Sequence, residues 1–151
     1  MKNEREPRVP RAFEQPRGRF SKSARVRKRR EYLAIQNGGR RVSSPHFLWV
    51  IAARGATDAG PEAAAIGEPR LGVTASRKVG GATVRNRVRR VLREVFRVVR
   101  GRLPADLDLV VIVKRAPEGV NLGAVVDEFC RVESQILKRL GEARAARKSA
   151  G

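Results

Sequence analysis

Residues 70–100, RLGVTASRKVGGATVRNRVRRVLREVFRVVR, predict a strand, a loop and a long amphipathic helix in direct succession. Residues 70–75 are typical of a strand, and the adjacent glycines Gly80 and Gly81 indicate a loop. From about residue 83 onward, the apolar residues recur at helical spacing and share one face. This apolar stripe consists of Val84, Val88, Val91, Leu92, Val95 and Val99. The helix is therefore expected to pack one face on a core and to expose the other.

The exposed face of this helix is dense in arginine. At 100° per residue, the side opposite the apolar stripe holds Asn86, Arg89, Arg90, Arg93, Arg97 and Arg100. An ordinary surface helix interleaves acidic and basic residues, whereas Glu94 is the one acid between residues 76 and 94. Because like charges three and four positions apart repel, the pattern indicates a bound anion, and guanidinium groups bind phosphate through paired hydrogen bonds. A basic helix that is merely solvated is the alternative.

The composition also favours a polyanionic partner. The chain has 151 residues, with 34 Lys and Arg against 15 Asp and Glu, a formal net charge of +19 and a pI near 11.7. This imbalance suits nucleic acid or an anionic membrane surface. No apolar run approaches the roughly 20 residues that span a bilayer, and the basic N-terminus lacks the apolar segment of a signal peptide. The single cysteine, Cys130, fits a reducing compartment, so we expect a cytoplasmic protein without a membrane partner.

The rest of the chain predicts two more helices and three more strands. The helices cover residues 28–37 and 121–144, and the strands cover residues 41–43, 47–53 and 107–114. We expect residues 47–53 and 70–75 to pair as a hairpin across a long loop, since consecutive strands usually lie side by side. The order helix, strands, helix, strand, helix indicates an α+β two-layer sandwich with helices packed on a small mixed sheet.

The chain divides into one domain with two basic ends. Residues 1–24 combine proline, glycine and arginine without periodicity and predict a disordered basic arm. This arm either orders on RNA or only keeps the protein in solution. Residues 25–145 form the domain, within which residues 54–69, rich in glycine, alanine and proline, predict an extended loop. Residues 146–151 form a basic tail.

No set of side chains in the sequence predicts a catalytic or metal-binding site. His46 is the single histidine, and we expect a structural or RNA-contacting role for it. Cys130 is predicted to be a small core residue of the last helix, and Asp106 and Asp108 are predicted to be turn acids before a strand. Because no pair of carboxylates accompanies a base, we expect no catalytic residue in this chain.

The arginine helix and the loop before it closely resemble the signature of the ribonuclease P protein family. The matching residues are Arg77-Lys78, Gly80, Arg85-Asn86-Arg87, Arg89-Arg90 and Arg93. The resemblance extends over roughly residues 20–140. It implies a left-handed strand–helix–strand crossover and a complex with a large catalytic RNA. That complex removes the 5′ leader from precursor tRNA, with Mg²⁺ held mainly by the RNA and no protein partner evident.

The resemblance further implies two binding surfaces. The surface for the catalytic RNA consists of Arg77, Lys78, Arg85, Asn86, Arg87, Arg89, Arg90 and Arg93. The other is a cleft between the first helix and the sheet that takes the single-stranded leader, with Tyr32, Phe47 and Trp49 as its expected residues. Because Trp49 lies within a continuous apolar run, a place in the core is the equal alternative for it. Gln36 and Val50 stand where members of the family carry further aromatics. Fewer aromatics weaken base stacking, which contributes ~1–3 kcal/mol per base.

Two other functions fit the size and charge of the chain. A ribosomal or ribosome-assembly protein would have the same composition, and the extended arginine motif is what argues against it. A DNA-binding regulator could place the arginine helix in a major groove, but the usual second helix joined by a short turn is missing from the pattern.

Overall fold

The computed structural model describes residues 25–26, 28–54, 68–117 and 120–150, with side chains up to residue 146. Within these residues it contains three α-helices and four strands. In chain order they are α1 (Arg29–Gly38), β1 (Arg40–Ser43), β2 (Phe47–Ala53), β3 (Arg70–Thr74), α2 (Ala82–Val99), β4 (Leu107–Val113) and α3 (Leu122–Ala150). Single 3₁₀ turns, Arg77–Val79 and Arg100–Arg102, precede and follow α2. The predicted arm and most of the predicted loop at 54–69 lie outside the described residues.

β4 lies in the interior of the sheet. The strand order is β1-β2-β4-β3, with β4 antiparallel to β2 and parallel to β3. The expected hairpin between β2 and β3 is therefore wrong, because β4 separates these two strands. Of the residues of β4, all except Ile112 are fully buried. An almost wholly apolar strand such as β4 buries both of its faces when strands flank its two edges and helices cover the sheet.

α2 connects β3 to β4, and the parallel pairing of these strands makes the unit a strand–helix–strand crossover. The mixed sheet and the α+β class are thus confirmed, while the left hand of the crossover stays a prediction. α3 continues to Ala150, past its predicted end at residue 144, and takes in most of the predicted basic tail. None of the described helices has both the length and the apolar character required to cross a membrane.

The two faces of the sheet are covered unequally. α2 and α3 cover one face and enclose the larger core with it. This core includes Phe47, Trp49, Ile51, Leu109 and Val111 from the strands and Val88, Leu92, Phe129 and Ile136 from the helices. On the opposite face, α1 packs Ile35 against Val50 and Val110. α1 leaves part of this second face open, since Leu48 and Ile112 are only half-buried.

The outer edge of β3 is covered by groups from three parts of the chain. Val26 donates its N–H to the carbonyl of Leu71 at 3.0 Å. Val73 donates its N–H to the hydroxyl of Tyr32 in α1 at 3.1 Å. Arg89 of α2 donates a hydrogen bond to the carbonyl of Ala75, the residue that follows β3, at 3.4 Å. A free strand edge invites pairing with other strands, and these bonds occupy its backbone groups.

Candidate nucleic-acid interface

The loop between β3 and α2 presents the start of α2 without a side-chain cap. Gly80 has a φ of +150°, a conformation that glycine adopts readily and other residues do not. Val84 lies 3.1 Å from the position that a Cβ at Gly80 would occupy. Gly81 is the N-cap residue, and the first turn of α2 contains no acidic residue. The N–H groups of this turn are therefore suited to an external anion.

The eight predicted RNA-binding residues lie together on this loop and the N-terminal part of α2; we call them the α2 basic surface. Arg85 and Arg89 are half-buried. Arg89 donates a hydrogen bond to Oδ1 of Asn86 at 3.3 Å, and the buried Nε of Arg85 has no acceptor among the described residues. The exposed members are Arg77, Lys78, Asn86, Arg87, Arg90 and Arg93. The structure thus brings the eight side chains together, and their binding of RNA stays a prediction.

The positive charge of the α2 basic surface is not compensated within the described residues. None of its seven cationic side chains forms an ion pair there. Even Glu94, the acid within the motif, pairs with Arg97 at 3.4 Å. Burial lowers the pKa of Arg93, and repulsion from Arg25 and Arg89 lowers it further. Ion pairs between arginines and carboxylates of the described residues involve Arg54, Arg70, Arg97, Arg100, Arg102, Arg139 and Arg144.

A hollow of about 580 Å³ lies between α2 and the start of α3. Its lining includes Thr83, Asn86, Arg87, Arg90 and Asn121, and none of the described residues that line it carries a carboxylate. The Oδ1 of Asn121 accepts a hydrogen bond from the N–H of Ala124 at 2.8 Å and so caps α3. Guanidinium and amide groups around a hollow of this size suit a phosphodiester group.

The predicted leader cleft does not form around Phe47 and Trp49. These side chains are 0% and 1% exposed, and they lie on the face that α2 and α3 cover, whereas Tyr32 lies on the face of α1. Trp49 donates its Nε1–H to Oγ of Ser44 at 2.9 Å, and its ring centroid lies 5.8 Å from that of Phe129. Assigning Phe47 to the cleft is wrong, because it belongs to the core; of the two places expected for Trp49, the structure shows the core. The continuous apolar run FLWVIAA has no alternation that separates one face from the other.

The open surface beside α1 is formed by the strand side chains that point away from the core of Phe47 and Trp49. The register aligns Ser43, Leu48, Ile112 and Thr74 in one row across the sheet, which we call the α1-side surface. Gln36 of α1 donates a hydrogen bond to Oγ1 of Thr74 at 3.3 Å. Tyr32 lies at its border, where the ring packs closely over Gly72. Sequence reasoning missed Leu48 and Ile112, although placing Trp49 in the core would have assigned Leu48 to this face.

His46 has a structural role between α3 and the turn that joins β1 to β2. The ring Nδ1 of His46 lies 2.7 Å from Oε1 of the buried Glu128, and the backbone N–H of His46 donates to Oε2 of Glu128 at 2.9 Å. The hydroxyl of Ser44 donates to the same oxygen. Burial opposes the negative charge of Glu128, but these hydrogen bonds outweigh it and hold the pKa of Glu128 below its ordinary value. The network fixes the position of α3 on the sheet.

Two smaller sequence predictions are wrong. Asp108 lies buried within β4 and pairs with two arginines, one of them Arg70 at 2.8 Å, so it is not a turn acid. Asp106 does lie in the turn, and the hydrogen bonds from Arg144 lower the pKa of Asp106. Cys130 is exposed rather than in the core, and partial burial raises the pKa of its thiol. Among the described residues, no three His, Cys, Asp or Glu side chains converge as metal ligands.

Comparison with known proteins places these surfaces in a family. The sequence matches the model of the ribonuclease P family over residues 20–137. The ribonuclease P protein component of Syntrophus aciditrophicus is 40% identical over 110 residues, which cover 73% of this chain and 84% of that protein. The solved ribonuclease P protein of Thermotoga maritima is similar with a TM-score of 0.56 at 28% identity, covering 72% of this chain and 93% of that one. That of Staphylococcus aureus shares the fold, with a TM-score of 0.61 at 23% identity over 78% of this chain and 97% of that one.

The matched range takes in α1, the whole sheet and the α2 basic surface, and it ends within α3. Members of this family are protein subunits of ribonuclease P, a ribonucleoprotein endoribonuclease that processes the 5′ ends of tRNA and whose catalysis is RNA-based. The resemblance inferred from the arginine motif is confirmed by these matches. The chain therefore belongs to the ribonuclease P protein family.

Proposed function

We propose that the chain binds the catalytic RNA of ribonuclease P through the α2 basic surface and the 5′ leader of precursor tRNA through the α1-side surface. One observation carries this proposal. Seven cationic side chains cluster without an ion pair among the described residues, whereas seven other arginines of the fold are paired with carboxylates. A large RNA is a polyanion that compensates such a cluster, and binding releases the counterions of its phosphates.

The shape of the α2 basic surface supports contacts to the RNA backbone. Arg87 and Arg90 are exposed beside the hollow between α2 and α3, so a phosphate in the hollow meets both guanidinium groups. The uncapped first turn of α2 offers further N–H donors to a neighbouring phosphate. Contacts of this kind position an RNA strand without reading its sequence. The surface therefore suits recognition of one RNA by its shape.

The α1-side surface suits a single strand with unstacked bases. Leu48 and Ile112 are adjacent, half-buried apolar side chains on which a base can pack. Lys114 reaches this end of the row and donates a hydrogen bond from Nζ to Oγ of Ser43 at 2.7 Å, which places a positive charge for a phosphate. In the part of the chain that the structure describes, Tyr32 is the one aromatic at the border of the row, so we expect modest affinity for the leader.

We assign the Mg²⁺ of the reaction mainly to the RNA. The described residues hold no cluster of metal ligands, and the buried carboxylates Asp108 and Glu128 are already bound by arginine and histidine. The chain's own contribution is then to neutralise phosphates that would otherwise repel the enzyme RNA from the substrate RNA. We retain the cytoplasmic location that the single cysteine predicts.

A cleavage titration across Mg²⁺ concentration tests this function. Leader removal is measured with the protein alone, with the catalytic RNA alone and with both together. We expect no cleavage by the protein alone, and cleavage by the complex at lower Mg²⁺ than the RNA alone requires. The benefit of the protein should shrink as Mg²⁺ rises, because added cations screen the same phosphates. Leader removal by repurified, nuclease-treated protein would overturn the proposal.

A further inference from the structure

A second cavity, of about 610 Å³, lies on the other side of α1 from the α1-side surface. α1 crosses the sheet over Val50 and Val110, and this cavity lies beyond it, against the row that contains Ala52 and Asp108. The C-terminal part of α3 closes it from the side through Ala143 and Ala146. We call it the α1–α3 cavity. It belongs to neither of the surfaces described above.

Small side chains leave the interior of the α1–α3 cavity open. Its lining includes Ala34, Gly38, Ala52 and Ala143, none of which reaches far into the space. A Cβ added at Gly38 would meet nothing within 4 Å. Ligand sites in proteins commonly have volumes of about 300–1,000 Å³, with apolar walls and few polar groups. The cavity is therefore large enough for a planar group such as a nucleobase.

A buried donor in the wall of the cavity has no partner among the described residues. Arg54 is 6% exposed, and its two terminal nitrogens donate to Asp108, Glu68 and Ala105. Its Nε has no acceptor in the described part of the chain. This Nε is itself enclosed by protein atoms, so Arg54 contributes to the cavity by holding its wall in place through the hydrogen bonds of the two terminal nitrogens.

The charges around the cavity favour an anionic ligand. Arg70 pairs with Glu31 at 3.0 Å and with Asp108 at 2.8 Å, and Arg54 also pairs with Asp108, so both carboxylates in the lining are engaged. Arg30 and Arg40 also line the cavity, are exposed, and form no ion pair within the described residues. Among the described residues that line the cavity, four arginines against two carboxylates leave an excess of two positive charges, both at the solvent-facing side.

We propose that the α1–α3 cavity binds one nucleotide of a single-stranded RNA, with the base in the cavity and the flanking phosphates on Arg30 and Arg40. This inference rests on the proposed function in taking RNA as the ligand, but it uses a surface separate from the α2 basic surface and the α1-side surface. It gives the fold a third place at which an RNA strand is held.

Photocrosslinking of the full-length protein to a short single-stranded RNA that carries 4-thiouridine tests the proposal. After digestion, crosslinks should map to α1 and to the C-terminal part of α3. Ala146→Phe places a ring in the cavity from an exposed helix position and should reduce these crosslinks about tenfold, which is the range of one base-stacking contact. Ala145→Phe changes the adjacent exposed residue, which does not line the cavity, and should leave the crosslinks unchanged. Equal melting temperatures establish that both variants fold.

The same digests separate this proposal from the proposed function. Crosslinks to α2 report on the α2 basic surface, and they should persist in Ala146→Phe. Absence of crosslinks to α1 and α3 in the wild type, or an undiminished yield in Ala146→Phe, would overturn the nucleotide site while the α2 crosslinks keep the proposed function. Crosslinks that form in the cavity only after residues 56–66 are replaced by a short glycine linker would also overturn it, because the chain itself would then be the occupant.

Discussion

Replacing both Arg87 and Arg90 with alanine removes two of the seven unpaired charges of the α2 basic surface. Both side chains are exposed and form no hydrogen bond or ion pair among the described residues, so the fold should be unaffected. Each lost phosphate contact flattens the slope of log affinity against log salt by about 0.9, and the double variant should flatten it by about 1.8. Between about 50 and 200 mM salt, the wild type should therefore lose roughly twelvefold more affinity for the catalytic RNA than the variant.

The assay is equilibrium binding of the full-length protein to the catalytic RNA across that salt range, at fixed Mg²⁺. Arg131→Ala is the matched control, because Arg131 is an exposed arginine of α3 that also lacks an ion pair within the described residues. It should keep the slope of the wild type. A double variant with the wild-type slope would refute the location of the RNA. Equal flattening per arginine in the control would mean that net charge, rather than this surface, sets the affinity.

Three further predictions concern the fold that presents these surfaces. Gly72→Ala should reduce the free energy of unfolding in urea by about 1–3 kcal/mol, since its Cβ would lie 2.8 Å from the Tyr32 ring, whereas Gly38→Ala, with nothing within 4 Å, should not. Asp108→Asn should cost about 3–5 kcal/mol in the same assay because it leaves the buried Arg54 without its carboxylate partner and Arg70 with Glu31 alone; a loss near zero would contradict this. Glu128, whose pKa is lowered by its hydrogen bonds, stabilises the fold above its ordinary pKa of 4.5. The advantage of the wild type over Glu128→Gln should thus be complete near neutral pH and shrink as the pH falls below 4.5, and an advantage that grows on acidification would disprove it.

The local elements of the fold follow from sequence periodicity, but the pairing of the strands does not. The stripe from Val88 to Val99 predicts α2 because it depends on residues within a few turns of one another. The place of β4 between β2 and β3 depends on contacts such as Phe47 with Val113, which are distant in the chain. No local pattern encodes such a contact, so the rule that consecutive strands pair gave the wrong neighbour for β3.

The candidate site shows the same division. The arginines of α2 could be assigned from spacing alone, because their face is fixed by the apolar stripe opposite. The absence of ion pairs at these arginines could not be predicted from spacing, because it depends on Glu94 pairing with Arg97 and on Glu68 pairing with Arg100. Phe47 was misplaced, and Trp49 was left open between core and cleft, because every residue of their strand is apolar, and two of the strand's seven, Leu48 and Ala52, are left half-buried only by the limited reach of α1.

The interior position of β4 also sets the order in which the nascent protein can fold. β4 is the strand partner of β3 and one of the two partners of β2, so the sheet cannot be completed until residue 113 has left the ribosome. Until then β1 and β2 can pair, while α2 has already been synthesised and has no complete sheet to cover. Pairing over such a separation is slow compared with helix formation. We therefore expect the arginine-rich segment to be exposed to cellular RNAs before the fold that orients it has formed. The synthesis of β4 is then the step after which the sheet can be completed.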